Sequence, residues 1–496
     1  MRLEVPALLL AGALAASPVW GAEDTAARVE AAIAANPVKG ARVAVCVRRL
    51  SDGVEIVGKR EREPLSIASN TKLVTTAAAL WRLGADYQFQ TRLVADGALE
   101  GGLLKGNLIL IGGGDPNISG RATGDLFHVP ALMAKAAREA GIVTVQGDLV
   151  LDDRFFDRVH RAPTWPNEES LWWYSAPVGA LSFNDNCADV SVTGAATAGA
   201  PPVVDARPPF MRLINRCVTI PKGKAGNISF ARDPSGAVIV EGTVEIGHTR
   251  TESITVEEPA LFLGQALSHE LEKAGVTLQG TARLIRGGEE ISKTASELYV
   301  WRSGLKESIT IANQRSQNFY AEQVFKTLGA SGGHPGSFES GAAAVRAFCR
   351  AIRLPDGVVT LVDGCGLSLE DKATAQALTG LLEAMYRSKL REPYINSLAT
   401  NAEPKSTLRH RLGEPWMAGR IHAKTGTIES RGISALSGYA EALDGEVYCF
   451  SVLVNGAASL GHAYSLEDDV CRALVQSPRK ESAKPETEPK KEGARP

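Results

Sequence analysis

Two stretches near opposite ends of the chain alternate apolar and polar positions with the period of a strand. Residues 41–59, "ARVAVCVRRLSDGVEIVGK", read as two strands around the turn Ser51-Asp52-Gly53. Residues 434–456, "SALSGYAEALDGEVYCFSVLVNG", read as a second pair around Asp444-Gly445, a strong hairpin signal. Each pair has a helix beside it. "AARVEAAIAANP" precedes the first and stops at Asn36-Pro37, and "SLEDDVCRALVQS" follows the second, with Ser465 as the expected cap. The chain ends therefore predict one layer of strands with helices against it.

The middle has another texture. From about Gly101 to Gly287 short strands are punctuated by Gly and Pro, and one phrase recurs. "AGIVTVQGDLVLDD" begins at Ala140 and "AGVTLQGTARLI" at Ala274. Each follows a helical run and passes through a glycine into a strand, and "GGLLKGNLILIGGGDP" is a shorter echo. The spacing is too irregular for stacked repeats, so the region reads as an inserted module with internal duplication.

Composition narrows the classes. The chain has 496 residues, 44% hydrophobic and 22% charged, with a formal net charge of −2 and no basic cluster on one element. That is enough chain for two or three domains and argues against a nucleic-acid surface. An apolar run from Val5 to about Val19, ahead of the small residues before Ala22, predicts a signal peptide over 1–21 and export to the periplasm. Seven cysteines leave at least one unpaired, and Cys187 with Cys217 is the first pair to expect. Cys46 and Cys449 sit in strand-like runs and read as apolar packing. The tail over 477–496, rich in charge and proline, is expected to be disordered.

The run "SIASNTKLVTTAAALWRL" places Lys72 three residues after Ser69, one turn along a helix. A serine hydroxyl becomes a nucleophile when a neighbour takes its proton, and a lysine can do so only when burial or a second cation keeps it neutral. Alone the spacing means little. Ser303/Lys306 and Ser477/Lys480 repeat it, and a cap with a solvated lysine explains it equally well. Two further segments change the balance. Ser316-Gln317-Asn318 leads into a helix, and Lys424-Thr425-Gly426-Thr427 opens a strand running into the terminal sheet, though Ser182-Phe183-Asn184 copies the form of the first. Ser-x-x-Lys, Ser-x-Asn and Lys-Thr-Gly in that order are the signature of penicillin-binding proteins and serine β-lactamases.

The roles fit one reaction. Ser69 attacks a carbonyl, Lys72 is the base, and Ser316 relays a proton to the departing amine. Asn318 holds a substrate amide, while Lys424, Thr425 and Thr427 bind a carboxylate. Gly426 is expected to let the substrate backbone approach the strand, and the N–H groups of Ser69 and Thr427 to form an oxyanion hole.

Over about Ala26 to Val475 the chain resembles the D-alanyl-D-alanine carboxypeptidase/endopeptidase branch of low-molecular-mass penicillin-binding proteins. Beyond the three motifs, "GNLILIGGGDPNIS" at Gly106, "GDLVLDDRFF" at Gly147, "SAPVGALSFNDN" at Ser175, "VDGCGLS" at Val362 and "STLRHRL" at Ser406 carry the likeness. The long separation of Ser69 from Ser316 fits this branch and not the β-lactamases. The resemblance implies an α+β fold: a penicillin-recognising, β-lactamase-like domain with an antiparallel sheet, helices on its faces and two nested inserted domains. The expected division is 22–92 with 299–476 for the catalytic domain, 93–115 with 180–298 for one insert, and 116–179 for a second nested in it. It also implies that Asp152 and Phe156 reach the cleft to read a diamino acid side chain, against the alternative of a strand-end turn. Cys365 and Leu369 depart from the family pattern, which tends to serine and arginine there.

The implied activity is serine-type D-Ala-D-Ala carboxypeptidase, with endopeptidase action on cross-links as an extension, no metal or other cofactor, peptidoglycan peptides as substrates and β-lactams as covalent inhibitors. Membrane association is at most peripheral. The competing readings are a β-lactamase, which needs a glutamate to activate the deacylating water, and a binding protein that keeps the cleft without the chemistry.

Overall fold

The computed structural model describes Trp20 to Gln476, with side chains from Thr25 onward. The expected leader falls outside these residues but for its last two, and the expected tail falls outside them altogether.

The two chain ends build one antiparallel five-stranded sheet. Its order is Ile421–Ile428, Ile433–Glu441, Val447–Asn455, Arg42–Arg49 and Glu55–Lys59. Both expected hairpins form, closed by Gly53 and Gly445 at positive φ. The central strands are buried on both faces because helices cover both. Ala435, Cys449 and Leu453 point into a core with the Thr71–Leu83 and Ala375–Arg387 helices. Their neighbours Leu436, Phe450, Val452 and Val454 point the other way, against Val29, Ile33, Leu466 and Val470 of the terminal helices. A strand's two-residue period thus serves two cores at once, each buried Val, Leu or Phe contributing about 1.5–3 kcal/mol. The last helix runs Leu460–Val475 with Ser459 at its cap position. Ser465, expected as the cap, lies inside it and donates to Gly461 O at 3.1 Å. All seven cysteines are buried and free, so the expected Cys187–Cys217 bridge is not formed; the two pack in separate cores.

The insert leaves the catalytic domain along Gln88–Glu100 and returns along Ser296–Gly304, antiparallel neighbours that pair from Gln88 with Gly304 onward. They belong to a seven-stranded sheet that also holds Leu103–Ile111, Thr144–Val145, Leu149–Asp152, Thr277–Leu278 and Ala282–Leu284. The recurring phrase explains that sheet. Its copies lie side by side in parallel, Thr144 beside Thr277 and Leu149 beside Ala282, with the shorter echo next in line. Gly147 N donates to Gly106 O and Gly280 N to Gly147 O. A Cβ on Gly147 would stand 2.2 Å from Asn107 Oδ1, and one on Gly280 would stand 2.3 Å from Asp148 Oδ1. The repeated glycine lets one copy's side chain cross the next copy's backbone.

This pairing corrects the expected division of the insert. Residues 116–179 do not stand apart: their His128–Glu139 helix and two strands are part of the seven-stranded unit. The nested unit is instead residues 187–255, two three-stranded sheets around Val190, Val192, Val238, Val240, Val244 and Ile254. Short glycine-punctuated strands look alike in sequence, and only their partners separate the two units.

Candidate active site

Ala68–Asn70 forms a 3-10 turn that feeds the Thr71–Leu83 helix, and Ala68 takes a positive φ to make the entry. Thr71 to Leu80 are buried without a break, so this helix runs through the core rather than over it. Lys72 is carried in with it and is fully buried, while Ser69 stays partly exposed. Lys72 Nζ lies 2.9 Å from Ser69 Oγ, 2.7 Å from Asn318 Oδ1 and 2.7 Å from Cys365 O.

The second motif arrives on the Asn318–Ala330 helix, with Ser316 at φ 57° on its approach. A non-glycine residue in that region stores about 1–3 kcal/mol of strain. Asn318 Nδ2 donates to Tyr174 O at 2.7 Å, which leaves its oxygen for Lys72. The third motif lies on Ile421–Ile428, where Lys424, fully buried, donates to Ser316 Oγ at 2.9 Å and to Thr425 O at 2.8 Å. Thr425 Oγ1 donates to Thr407 Oγ1 at 2.9 Å, and Thr427 is exposed. The three motifs therefore meet: Ser69 to Lys72 to Asn318 on one side, Ser316 to Lys424 on the other.

Neither lysine's hydrogen-bond partners are charged. Burial pulls the Lys72 ammonium below its usual range, while Cys365, Asp363, Glu322 and Asp371 act the other way when ionised. Lys424 is pulled well below, first by burial and then by Lys72. Two ammonium groups cannot both be charged cheaply in so dry a place.

Gly426 is also pressed from within the protein. A Cβ there would lie 2.9 Å from Ile67 O and 3.1 Å from Ser69 N. The missing side chain lets the first motif's backbone press against the strand.

A cleft of about 640 Å³ opens over this centre, lined by Ser69, Ser316, Asn318, Gly366 and Thr427 together with Glu169, Trp173 and Tyr174 of the insert. Asp152 and Phe156 do not line it. Asp152 closes a strand and is gripped by Arg154 through two 2.8 Å bonds. Phe156, 2% exposed, packs on Val178, Ala180 and Ala330 beneath the Lys326 ammonium. The strand-end turn is what the structure contains.

Several residues at the centre have partners that the sequence did not reveal. Asn70 Nδ2 donates to Lys424 O at 3.0 Å. Asp363 accepts from the N–H groups of Cys365, Gly366 and Ser368 and from Trp165 Nε1. Glu322 accepts from Gly364 N through both oxygens at 2.9 Å. Glu322, Asp363 and Cys365 bring donor atoms within 4.8 Å of one another, but these main-chain bonds occupy the carboxylates, so the trio clasps the loop. The phrase "VDGCGLS" marked that loop without showing what it holds.

The decoy motifs end differently. Lys306 is exposed and paired with Asp86 at 3.1 Å, and Ser182 and Asn184 bind main-chain carbonyls.

Comparison with known proteins identifies the family. Residues 25–474 match the D-Ala-D-Ala carboxypeptidase 3 (S13) family. The D-alanyl-D-alanine carboxypeptidase of Actinomadura sp. strain R39 is 31% identical over 471 residues, 91% of this chain and 85% of that protein. The D-alanyl-D-alanine carboxypeptidase DacB of Haemophilus influenzae is 23% identical over 396 residues, 78% of this chain and 80% of that one. The crystal structure of penicillin binding protein 4 (dacB) from H. influenzae superposes with a TM-score of 0.78, covering 90% of this chain and 99% of the other at 21% identity. The chain belongs to the D-Ala-D-Ala carboxypeptidase 3 (S13) family.

Proposed function

We propose that this member of the S13 family removes the terminal D-alanine of peptidoglycan stem peptides through an acyl-enzyme on Ser69. The observation that carries the reading is the contact of Ser69 Oγ with a buried lysine amine that has no charged hydrogen-bond partner. Neutral Lys72 takes the Ser69 proton as Oγ bonds to the carbonyl carbon of the D-Ala–D-Ala bond. The oxyanion faces the N–H groups of Ser69 and Thr427. When the C–N bond breaks, the leaving amine takes a proton from Ser316 Oγ, and the proton that Lys72 took from Ser69 makes good that loss, so both lysines end as they began. Water then hydrolyses the ester and frees Ser69. Lys424, Thr425 and Thr427 bind the terminal carboxylate, and Asn318 a backbone amide of the peptide.

A strained β-lactam amide meets the same serine and leaves a long-lived acyl group. The Haemophilus penicillin binding protein 4 has been seen complexed with a β-lactam. Cleavage of D-Ala cross-links in the same cleft is the natural extension, and a Bdellovibrio predatory endopeptidase shares the fold with a TM-score of 0.51. These substrates belong to the cell wall, which agrees with export to the periplasm.

Mass spectrometry of the protein treated with labelled penicillin tests the reading. One adduct on Ser69, absent in Ser69→Ala, together with D-alanine release from a D-Ala-D-Ala peptide, is expected. Intact, unlabelled protein overturns it. Rapid antibiotic turnover without peptide cleavage favours a β-lactamase.

A further inference from the structure

Asn318, Glu322 and Lys326 stand four residues apart on one buried helix, and each seizes a different segment. Asn318 binds Lys72, and Lys326 binds the Asp157 carboxylate and Val159 O. Glu322 binds Gly364 N, one residue from the carbonyl of Cys365 that accepts from Lys72 at 2.7 Å. The mechanism above uses the first of these and leaves Glu322 without a task. A carboxyl with no exposed surface, beside the general base, is a costly thing to keep for packing alone.

We propose that Glu322 is a positioning residue of the acylation step: it fixes the Cys365 carbonyl against Lys72, and its own charge, when present, holds Lys72 as the inactive ammonium. The inference deepens the assignment of Ser69 and Lys72 and rests on it. The groups facing Glu322 are Lys72 from the Thr71–Leu83 helix, Asp363, Cys365 and Asp371 from the loop, and Lys326 from its own helix. Asp363 is already satisfied by four donors, and Lys326 is paired with Asp157. Lys72 is the cation whose partners are all uncharged. Burial and then the Asp363 charge push the Glu322 carboxyl up to about 8. A neutral carboxyl can hold the loop without trapping the base. The proton that leaves this pair first is shared between carboxyl and ammonium, and only the state with a neutral amine attacks.

The test is the pH profile of the second-order rate of Ser69 acylation by labelled penicillin in wild type, Glu322→Gln and Glu322→Asp, with folding checked by near-UV circular dichroism. Glu322→Gln removes the competing acid, so the acidic limb should move about one pH unit lower. Glu322→Asp keeps the charge but shortens the reach, so its limb should stay near the wild-type position while the plateau falls about tenfold. A Gln limb that coincides with the wild-type one, or an Asp limb that moves as Gln's does, overturns the proposal. If Glu322→Gln does not fold, the Asp limb decides alone. Failure of the wild type to be acylated at Ser69 would instead sink the underlying assignment.

Discussion

Asn70 Nδ2 donates to the main-chain oxygen of Lys424 at 3.0 Å, joining the first and third motifs across 354 residues of sequence. The amide lies under the strand, fully buried, and also reaches Ala435 O at 3.4 Å. It fixes the height of Lys424 relative to Ser69. Asn70→Ala should cost about 1–3 kcal/mol of stability, read by denaturant unfolding, because it strands buried carbonyls. Penicillin acylation should fall with it. An unchanged acylation rate would show that the two motifs are held together elsewhere.

The contact of Gly426 with Ile67 O and Ser69 N makes a second, sharper test. An added methyl must push the strand off the serine turn. Gly426→Ala should reduce acylation at least tenfold, since near-attack geometry tolerates displacements well under 1 Å. Stopped-flow kinetics with a fluorescent penicillin measures this, and the loss should exceed what the change in stability explains.

Lys72 holds three acceptors in a dry place. Lys72→Ala should lower acylation by about 10²–10⁴, the usual range for losing a general base. In the wild type the lysine must lose its proton to act. With its pKa drawn down by burial, the rate should climb with pH and level off below the range of a solvated lysine. A rate that keeps climbing through the range of a solvated lysine, with no plateau below it, would remove a lysine neutralised by burial as the base.

Asp115 lies buried in the insert, accepting from Ser303 Oγ and Asn117 N, and burial pushes its carboxyl up to about 6. The unfolded chain releases that proton nearer pH 4, so the folded state binds more protons between those values. Stability should therefore be highest below about pH 4 in this term and decline as pH rises through about 6, by on the order of 2–3 kcal/mol. Asp115→Asn should flatten that slope in thermal unfolding followed against pH. A slope that persists would place its source elsewhere.

Gly280 tests the duplicated module apart from the chemistry. Gly280→Ala drives a methyl into Asp148 Oδ1 and Gly147 O and should destabilise the seven-stranded sheet by about 1–3 kcal/mol. Acylation of Ser69 should change little. A large loss of acylation would mean that this sheet holds the wall carrying Tyr174 and Trp173 in place.

The terminal sheet, its two hairpins and the catalytic motifs were legible because each depends on near neighbours. A strand's period, a Gly at a tight turn and a serine one helical turn from a lysine are local facts. The nesting of the insert was not legible, since Leu103–Ile111, Thr144–Val145 and Cys187–Thr193 differ in their partners, not in their kind. Where Asp152 and Phe156 lie was not legible for a similar reason: they sit outside the cleft lining, held by Arg154 and Lys326, one near in sequence and one far.

The order of residues set a serine three positions before a lysine at Ser69/Lys72 and at Ser303/Lys306 alike. Only the folded chain made them different, burying Lys72 against uncharged oxygens while leaving Lys306 in water beside Asp86. Loss of solvent is what turns an ammonium into a base, and solvent is excluded by segments hundreds of residues away.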